Sequence, residues 1–417
     1  MAKIQPKAVF ADDQGNIYDH PELLMLIKRG PTWGLPRPDE LIPLPEESTL
    51  YLLPQRQALG LNPETGQIEV IPEGIAVAGF ISPGYTLCGH VAYLEQGQPD
   101  PLPLFAYGAL GFYQDKFYVA AIKVDEDQRQ VFTHIPKTKI SQQAALLRKK
   151  LPQNRLILHL THCALNYNCP AAKNLALGRF EAPLPTSQTC NAQCIGCISY
   201  QDEQSKIPAT QSRIAFCPTP QEIYEVMSIH AKRAKKPIFS FGQGCEGEPL
   251  LNWKNIAQAI SLYRKAYSTG TININTNGSL PETIEPLAKA GLNSIRVSLN
   301  SAQETLYSKY YRPKYAFSQV QETILQAKKN KLFVSLNYLF FPGINDSEQE
   351  LTALLDLITT TKLDFIQLRN LNIDPNLYLR LFPESKSYSL MGLKNFLQRI
   401  KKECPWVKFG YFNPYLG

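Results

Sequence analysis

Thr271-Ile-Asn-Ile-Asn-Thr-Asn-Gly-Ser-Leu-Pro-Glu-Thr-Ile-Glu-Pro-Leu-Ala-Lys-Ala-Gly-Leu-Asn-Ser-Ile-Arg-Val-Ser-Leu299 decides the architecture of this chain. Apolar and polar residues alternate over Thr271–Asn275 and again over Ser294–Leu299, the two-residue period of a strand. Between them Pro281 stands where a first helical turn tolerates a missing N–H, and Gly291 follows Ala290 where a helix would stop. Strand, helix and strand in one short stretch make a βαβ unit, whose strands must be parallel and whose crossover is right-handed.

The same rhythm runs outward in both directions. Upstream lie a short strand at Arg179–Leu184, a capping box at Thr219-Pro-Gln-Glu222, a strand at Pro237–Phe241 and a helix at Asn252–Tyr267. Downstream come helix Ser318–Lys329, strand Leu332–Phe340, helix Ser347–Thr360, strand Phe365–Leu368 and a last helix at Ser389–Lys402, before Pro405. About six strand–helix units predict an α/β fold, either a partial (β/α)6 barrel or a doubly wound sheet. In both, chemistry gathers at the C-terminal ends of the strands. The polar and sulfur-bearing residues fall there: Cys190–Cys197 after the first strand, Gly242–Glu248 after the second, Asn275–Gly278 after the third, Ser298–Asn300 on the fourth, and Arg369 with Asn370 on the sixth.

The first 160 or so residues read differently, as short β segments between turns: Thr49–Leu53, Ile68–Ile71, Ile75–Ile81, Val91–Leu94 and Phe117–Ile122. Pro and Gly punctuate them, and one helix is expected at Ser141–Lys150, stopped by Pro152. Three regions follow: a β-rich N-terminal domain (1–155) suited to substrate recognition, a core (156–370), and a C-terminal helical and strand extension (371–417).

With 417 residues, 44% hydrophobic and 19% charged, the chain excludes wholesale disorder and collagen-like or low-complexity classes. No apolar run approaches the roughly 18 to 20 residues needed to cross a bilayer, and Met1-Ala-Lys-Ile-Gln-Pro-Lys lacks the apolar core of a secretory signal. A cytoplasmic protein without a membrane partner is expected. A net charge of +7 permits nucleic acid as a partner without demanding it. The densest basic stretch, Lys137 to Arg155, reads as a solvated helix face and linker.

Nine cysteines disfavour a disulfide framework, and three of them sit in Cys190-Asn-Ala-Gln-Cys194-Ile-Gly-Cys197. Structural zinc wants four ligands, and no equally spaced fourth Cys or His follows. A [4Fe–4S] cluster usually takes four thiolates, so three would leave one iron open. Cluster, zinc and unliganded core thiols are the readings of this loop, with the cluster favoured by soft donors at this spacing.

The segment resembles the radical S-adenosylmethionine (radical SAM) superfamily over roughly Phe180–Arg369. The resemblance implies a [4Fe–4S] cluster held by Cys190, Cys194 and Cys197, and S-adenosylmethionine chelated at the open iron. One electron from the cluster then splits the sulfonium, and the 5′-deoxyadenosyl radical takes a hydrogen atom from a substrate. It also implies an electron donor such as a flavodoxin or ferredoxin. One position departs from the family pattern: Gly196 stands before the third cysteine, where an aromatic residue is usual.

Gly242-Gln-Gly-Cys-Glu-Gly247 matches G-x-G-x-x-G, but Pro249 and the absence of an acid after Thr271–Asn275 argue against a dinucleotide site. Gly247-Glu-Pro-Leu-Leu-Asn252 is instead similar to the family's GGEP-type motif, which implies that Gly247 and Glu248 meet the ammonium of S-adenosylmethionine, with Glu246 as second candidate. The plainer reading makes Glu248 a helix N-terminal cap. Thr276-Asn277-Gly278 resembles the TNG turn of the family, and by the same resemblance Ser298 or Asn300 would bond the ribose hydroxyls, Asn337 being weaker. Arg369 and Asn370 face either cofactor or substrate. Pro342-Gly-Ile-Asn-Asp-Ser347 recurs in the family and reads as a turn into a helix N-cap, without chemistry.

Cys163, Cys169, Cys217 and Cys245 suit either an auxiliary cluster or buried free thiols, and His159 and His162 could join Cys163 and Cys169 in a zinc site. Cys88 and Cys404 are remote in sequence. No residue is assigned to proton or hydrogen transfer. A peptide or protein substrate, gripped by the N-terminal region, is favoured over RNA. The competing class is a non-catalytic iron–sulfur protein, an electron carrier or redox sensor, in which a fourth side chain such as Cys245 closes the cluster. A bare RNA-binding module is a third class, marked by salt-sensitive RNA retention without a cofactor.

Overall fold

Seven strands run parallel and in strict chain order: Glu181–Pro183, Ile238–Phe241, Thr271–Thr276, Ser294–Leu299, Phe333–Phe340, Phe365–Asn370 and Lys408–Gly410. This computed structural model describes residues 4–383 and 389–417, so the first three residues of the N-terminal stretch and part of the segment before the last helix lie outside the described residues. A doubly wound sheet reverses its strand order at a switch point, whereas here each strand adds beside its predecessor. Right-handed crossovers then place the connecting helices on one face, and the sheet curls into part of a barrel. Among the described residues the first and seventh strands do not pair, so the barrel stays open.

Register separates the two faces. Asn275 pairs with Arg296, Arg296 with Ser335, and Ser298 with Asn337 and through it Gln367, so polar residues share the concave side. The alternate residues, among them Ile272, Ile274, Ile295, Val297, Leu336 and Ile366, are fully buried in one cluster with Ile256, Leu287 and Ile324 of the surrounding helices. The two-residue period therefore sorts the strands into a dry outer layer and a polar lumen.

Several elements differ from the sequence expectation. The core region opens with a pair of helices that carried no expectation, Arg155–Asn166 and Pro170–Leu177. Asn154 starts the first by accepting a hydrogen bond from the Ile157 N–H, and Leu156, Ile157, Leu160 and Cys163 form its buried stripe. A helix at Glu304–Tyr311 lies in a stretch that carried no expectation, and the seventh strand comes from the 371–417 region. The helix expected at Ser141–Lys150 begins earlier, at Lys137. Ser347 caps the helix Glu348–Thr361, accepting from the Glu350 N–H.

Residues Lys7–Lys123 build a 12-stranded antiparallel sheet. Its long hairpin pairs Thr49–Leu61 with Ile68–Phe80, so the two segments expected at Ile68–Ile71 and Ile75–Ile81 are one strand. Pro72 and Gly74 mark a kink there: Glu73 takes a φ of 57° and the register shifts opposite Leu53 and Gln57.

This sheet docks against the rim of the fifth and sixth core strands. The Leu87 N–H donates to Asn370 Oδ1 (2.8 Å), Asn370 Nδ2 donates to the Tyr85 carbonyl (3.1 Å), and the Gly30 N–H donates to the Pro342 carbonyl (3.0 Å). Asp374 is fully buried at the same seam, accepting from Arg56 Nη2 (3.2 Å) and the Leu102 N–H (3.0 Å) while capping helix Pro375–Arg380. No helix among the described residues is long and apolar enough to cross a membrane.

Candidate functional site

The loop after the first strand carries Cys190, Cys194 and Cys197, each half-buried and free. Its shape is set from below by the helix Glu304–Tyr311. The Gln193 N–H donates to the Tyr311 carbonyl (3.0 Å), the Ile195 N–H to that of Tyr310 (3.1 Å), and the Lys314 N–H to that of Asn191 (2.9 Å). From above, Gln201 Nε2 donates to the carbonyls of Ile195 (3.0 Å) and Cys197 (2.7 Å). A cysteine loop fixed through its backbone leaves its side chains free to ligate. Tyr310 also accounts for Gly196: a Cβ there would run into the Tyr310 hydroxyl, so a ring from another helix stands where a larger residue before Cys197 would have to go.

Cys190 and Cys194 share an electrostatic environment. Burial pushes the Cys190 thiol up to about 11, helped by the Glu248 carboxylate, and burial with its two neighbouring thiols holds Cys194 well above the usual thiol range. One cation answers them: Arg213 Nη2 lies 3.5 Å from Cys197 Sγ, with its Nε on Ser199 Oγ (3.3 Å). Among the described residues no three His, Cys, Asp or Glu side chains gather closely around one point. A cubic cluster ties each thiolate to a different iron, so its ligands stand apart, and three soft donors facing a cation fit that group.

Glu248 lies at 3% exposure between the second and third strands. Its carboxylate accepts from the Leu250 N–H (3.0 Å), the Asn277 N–H (2.8 Å) and the Thr276 hydroxyl. The cap on the following turn is therefore real, yet it uses three of about four lone-pair directions and leaves room for one more donor. Burial pushes this carboxyl up to about 7 against the pull of those donors, so an arriving cation would restore its charged form. Asn277 Nδ2 donates to Asn191 Oδ1 (2.8 Å) beside Cys190, tying the TNG turn to the cysteine loop. Gly247 allows the loops to meet, since a Cβ there would overlap the Thr189 carbonyl.

The other candidates also make structural hydrogen bonds, although Asn300 Oδ1 is buried without a partner. Glu246, second choice for the ammonium, accepts from the N–H groups of Thr186 (2.6 Å), Ser187 (2.9 Å), Gly242 (2.7 Å) and Gln243 (2.7 Å), which fill both oxygens. Asn300 is fully buried, its amide donating to the Leu306 carbonyl and the Tyr378 hydroxyl, whereas Ser298 keeps partial exposure in the lumen beside Asn337 (3.1 Å). Both polar side-chain atoms of Asn370 bind the N-terminal sheet.

The upstream cysteines do not form one group. Cys163 lies beside Cys245, with His159 Nε2 at 3.5 Å, and hydrogen bonds from Cys245 and His159 pull its thiol down to about 5. Cys169 packs against Cys163, Ala164 and Ala172, whereas Cys217 is exposed and donates to Gln188 Oε1 (3.5 Å). Sequence reasoning missed Arg213, Asn191 and Tyr310. Only the basic side chain in an otherwise polar loop could have pointed to Arg213.

Residues 184–355 match the family model described as Radical SAM superfamily. A probable dual-specificity RNA methyltransferase RlmN of Chlorobium luteolum is 37% identical over 120 residues, 26% of this chain and 33% of that one. A GTP 3′,8-cyclase of Clostridium acetobutylicum is 26% identical over 204 residues, covering 47% of this chain and 58% of that one. The chain thus spans from 33% to 58% of the length of these curated relatives. Among solved structures, a radical SAM methyltransferase from Sphaerobacter thermophilus aligns with a TM-score of 0.40 at 16% identity, covering 56% of this chain and 67% of that one.

Proposed function

Residues 184–355 are a radical SAM domain, and from that premise we propose that the chain is an enzyme that reductively cleaves S-adenosylmethionine at a [4Fe–4S] cluster to begin hydrogen abstraction from a substrate. Cys190, Cys194 and Cys197 would hold the cluster, Glu248 and the Gly247 backbone the methionyl ammonium, and Ser298 the ribose. Asn277 positions Glu248 and the cysteine loop rather than touching the cofactor. Together the bound groups supply one-electron, homolytic chemistry, and the protein supplies orientation and exclusion of water.

One observation carries this reading: a buried carboxylate with a lone pair to spare shares a wall with three thiols on one loop. Arg213 spreads positive charge toward the thiolates that cluster assembly requires. A peptide or protein substrate is favoured over RNA, because the N-terminal sheet is docked at the rim where it could present one. A cytoplasmic location and a flavodoxin- or ferredoxin-type donor complete the proposal.

The test is anaerobic reconstitution of the full chain, reduction with dithionite and an assay for 5′-deoxyadenosine from added S-adenosylmethionine. Product is expected from wild type and from Cys245→Ala, and none from Cys197→Ala. A wild-type cluster that yields no product, or a cluster that needs Cys245 as a fourth ligand, would replace the enzyme with an electron carrier or redox sensor.

A further inference from the structure

Two arginines stand on the lumen face of the half-barrel, and no carboxylate among the described residues forms an ion pair with either. Arg296 of the fourth strand pairs with Ser335, and Arg369 of the sixth pairs with Leu339, positions on the same face of the intervening strand. Arg296 Nη1 donates to Gln367 Oε1 (2.6 Å), and Arg369 Nη2 donates to the Tyr411 carbonyl (2.8 Å) with the Tyr411 ring 4.1 Å from its guanidinium. The Nε of each is buried without a partner.

Other arginines here also carry a buried orphan nitrogen, and the comparison is instructive. Arg37 meets Glu40 (2.8 Å), Arg56 meets Asp374 (3.2 Å) and Arg129 meets Asp127 (2.6 Å). Among the described residues Arg296 and Arg369 have no such ion pair. Glu181, the acid that pulls on Arg296 across the lumen, is engaged by Asn413 Nδ2 (2.8 Å) and Arg129 (3.7 Å). Burial, and after it the charge of Arg369, lowers the Arg296 guanidinium to about 9. Two desolvated like charges are costly unless something offsets them. A guanidinium fork is shaped to do so with paired oxygens.

We propose that Arg296 and Arg369 bind an anionic oxygen group of the substrate, a carboxylate or a phosphate, inside the lumen. The proposal rests on the radical SAM reading of the rim, because a substrate must reach from the cofactor into the barrel. The two guanidinium groups then select acidic substrates and fix how deeply they enter.

The probes are inorganic phosphate and acetate, added to the reconstituted full chain at matched ionic strength, with thermal unfolding as the readout. A saturable rise in Tm with one of them is expected for wild type, and the larger response tells phosphate from carboxylate. Arg296→Gln and Arg369→Gln should each weaken that apparent affinity about tenfold. Without either anion, both variants should unfold at or above the wild-type temperature, because removing one charge relieves the other. Absence of any wild-type shift overturns the proposal, as does a lower Tm of both variants in anion-free buffer, which would make the arginines structural struts. A tenfold loss of S-adenosylmethionine affinity in both variants, by equilibrium dialysis, would assign the anion to the cofactor's carboxylate and also overturn it. If wild type makes no 5′-deoxyadenosine, the functional reading falls by itself, while a saturable anion shift lost in both variants still supports the site.

Discussion

In the N-terminal sheet, Arg29 and Arg37 close on one fully buried carboxylate, Glu40, and Arg56 reaches Asp374 across the seam. In the parallel core, Glu248 is nearly as buried, yet it accepts only from backbone N–H and hydroxyl groups, and Arg296 and Arg369 meet no acid among the described residues. A scaffold that neutralises its own charge is complete as folded. A wall that leaves anions and cations each without a counter-ion is prepared for something that brings the opposite sign. The two regions are also covered differently: the core hides an apolar outer layer under helices, while the sheet borrows the core's rim as its cover.

That contrast breaks most sharply at the seam. Gly343 sits at a φ of 91° against the Gly30 backbone, where a Cβ would overlap the Gly30 amide. Gly343→Ala should cost about 4 kcal/mol and split one calorimetric transition into two as the sheet separates from the core. Asp374→Ala should cost about 3 kcal/mol, by stranding Arg56 and uncapping helix Pro375–Arg380, measured by urea unfolding. A double replacement, Arg56→Met with Asp374→Leu, should recover most of the loss.

Within the core the effects are smaller and depend on pH. Arg155 and the Thr219 capping box hold the Glu222 carboxyl down to about 2, below its ordinary value near 4.5. A lowered carboxyl stabilises the fold above its unfolded pKa, and that contribution fades as pH falls from the unfolded toward the folded value. Glu222→Gln should therefore lose about 1–2 kcal/mol at pH 7, discounted for the exposure of Arg155, and almost nothing near pH 2, read from urea midpoints across pH. At the bottom of the scale, Lys289→Ala removes an exposed helical ion pair with Glu285 and should leave the Tm unchanged. A large effect there would mean that solvent-facing charges matter to this fold as much as buried ones.

The core strands were legible because each is written twice, by alternation along its length and by Pro, Gly or capping residues at its ends. Thr271–Thr276 and Ser294–Leu299 fall almost where their residues place them. Arg155–Asn166 went unread because Leu156-Ile-Leu is a short apolar run without a clear period, and only Asn154 announces a helix. Glu304–Tyr311 was hidden by an uncapped start at Gln303 and by tyrosines, which suit strands as well as helices. The cysteine loop could be quoted from the sequence. Its support could not, since Tyr310, Tyr311 and Asn277 reach it only through the curling of the sheet. Glu246 shows the converse: the residue type is right for an amine, but four backbone N–H groups claim it first.

Because each core strand pairs with the one made just before it, the core can zip up progressively as the chain leaves the ribosome. The antiparallel sheet is finished once Lys123 has emerged, but the surface it rests on, from Pro342 to Asp374, is synthesised much later. For most of translation that sheet must wait with its docking edge wet. The nascent chain, more than the folded protein, then carries that exposed edge.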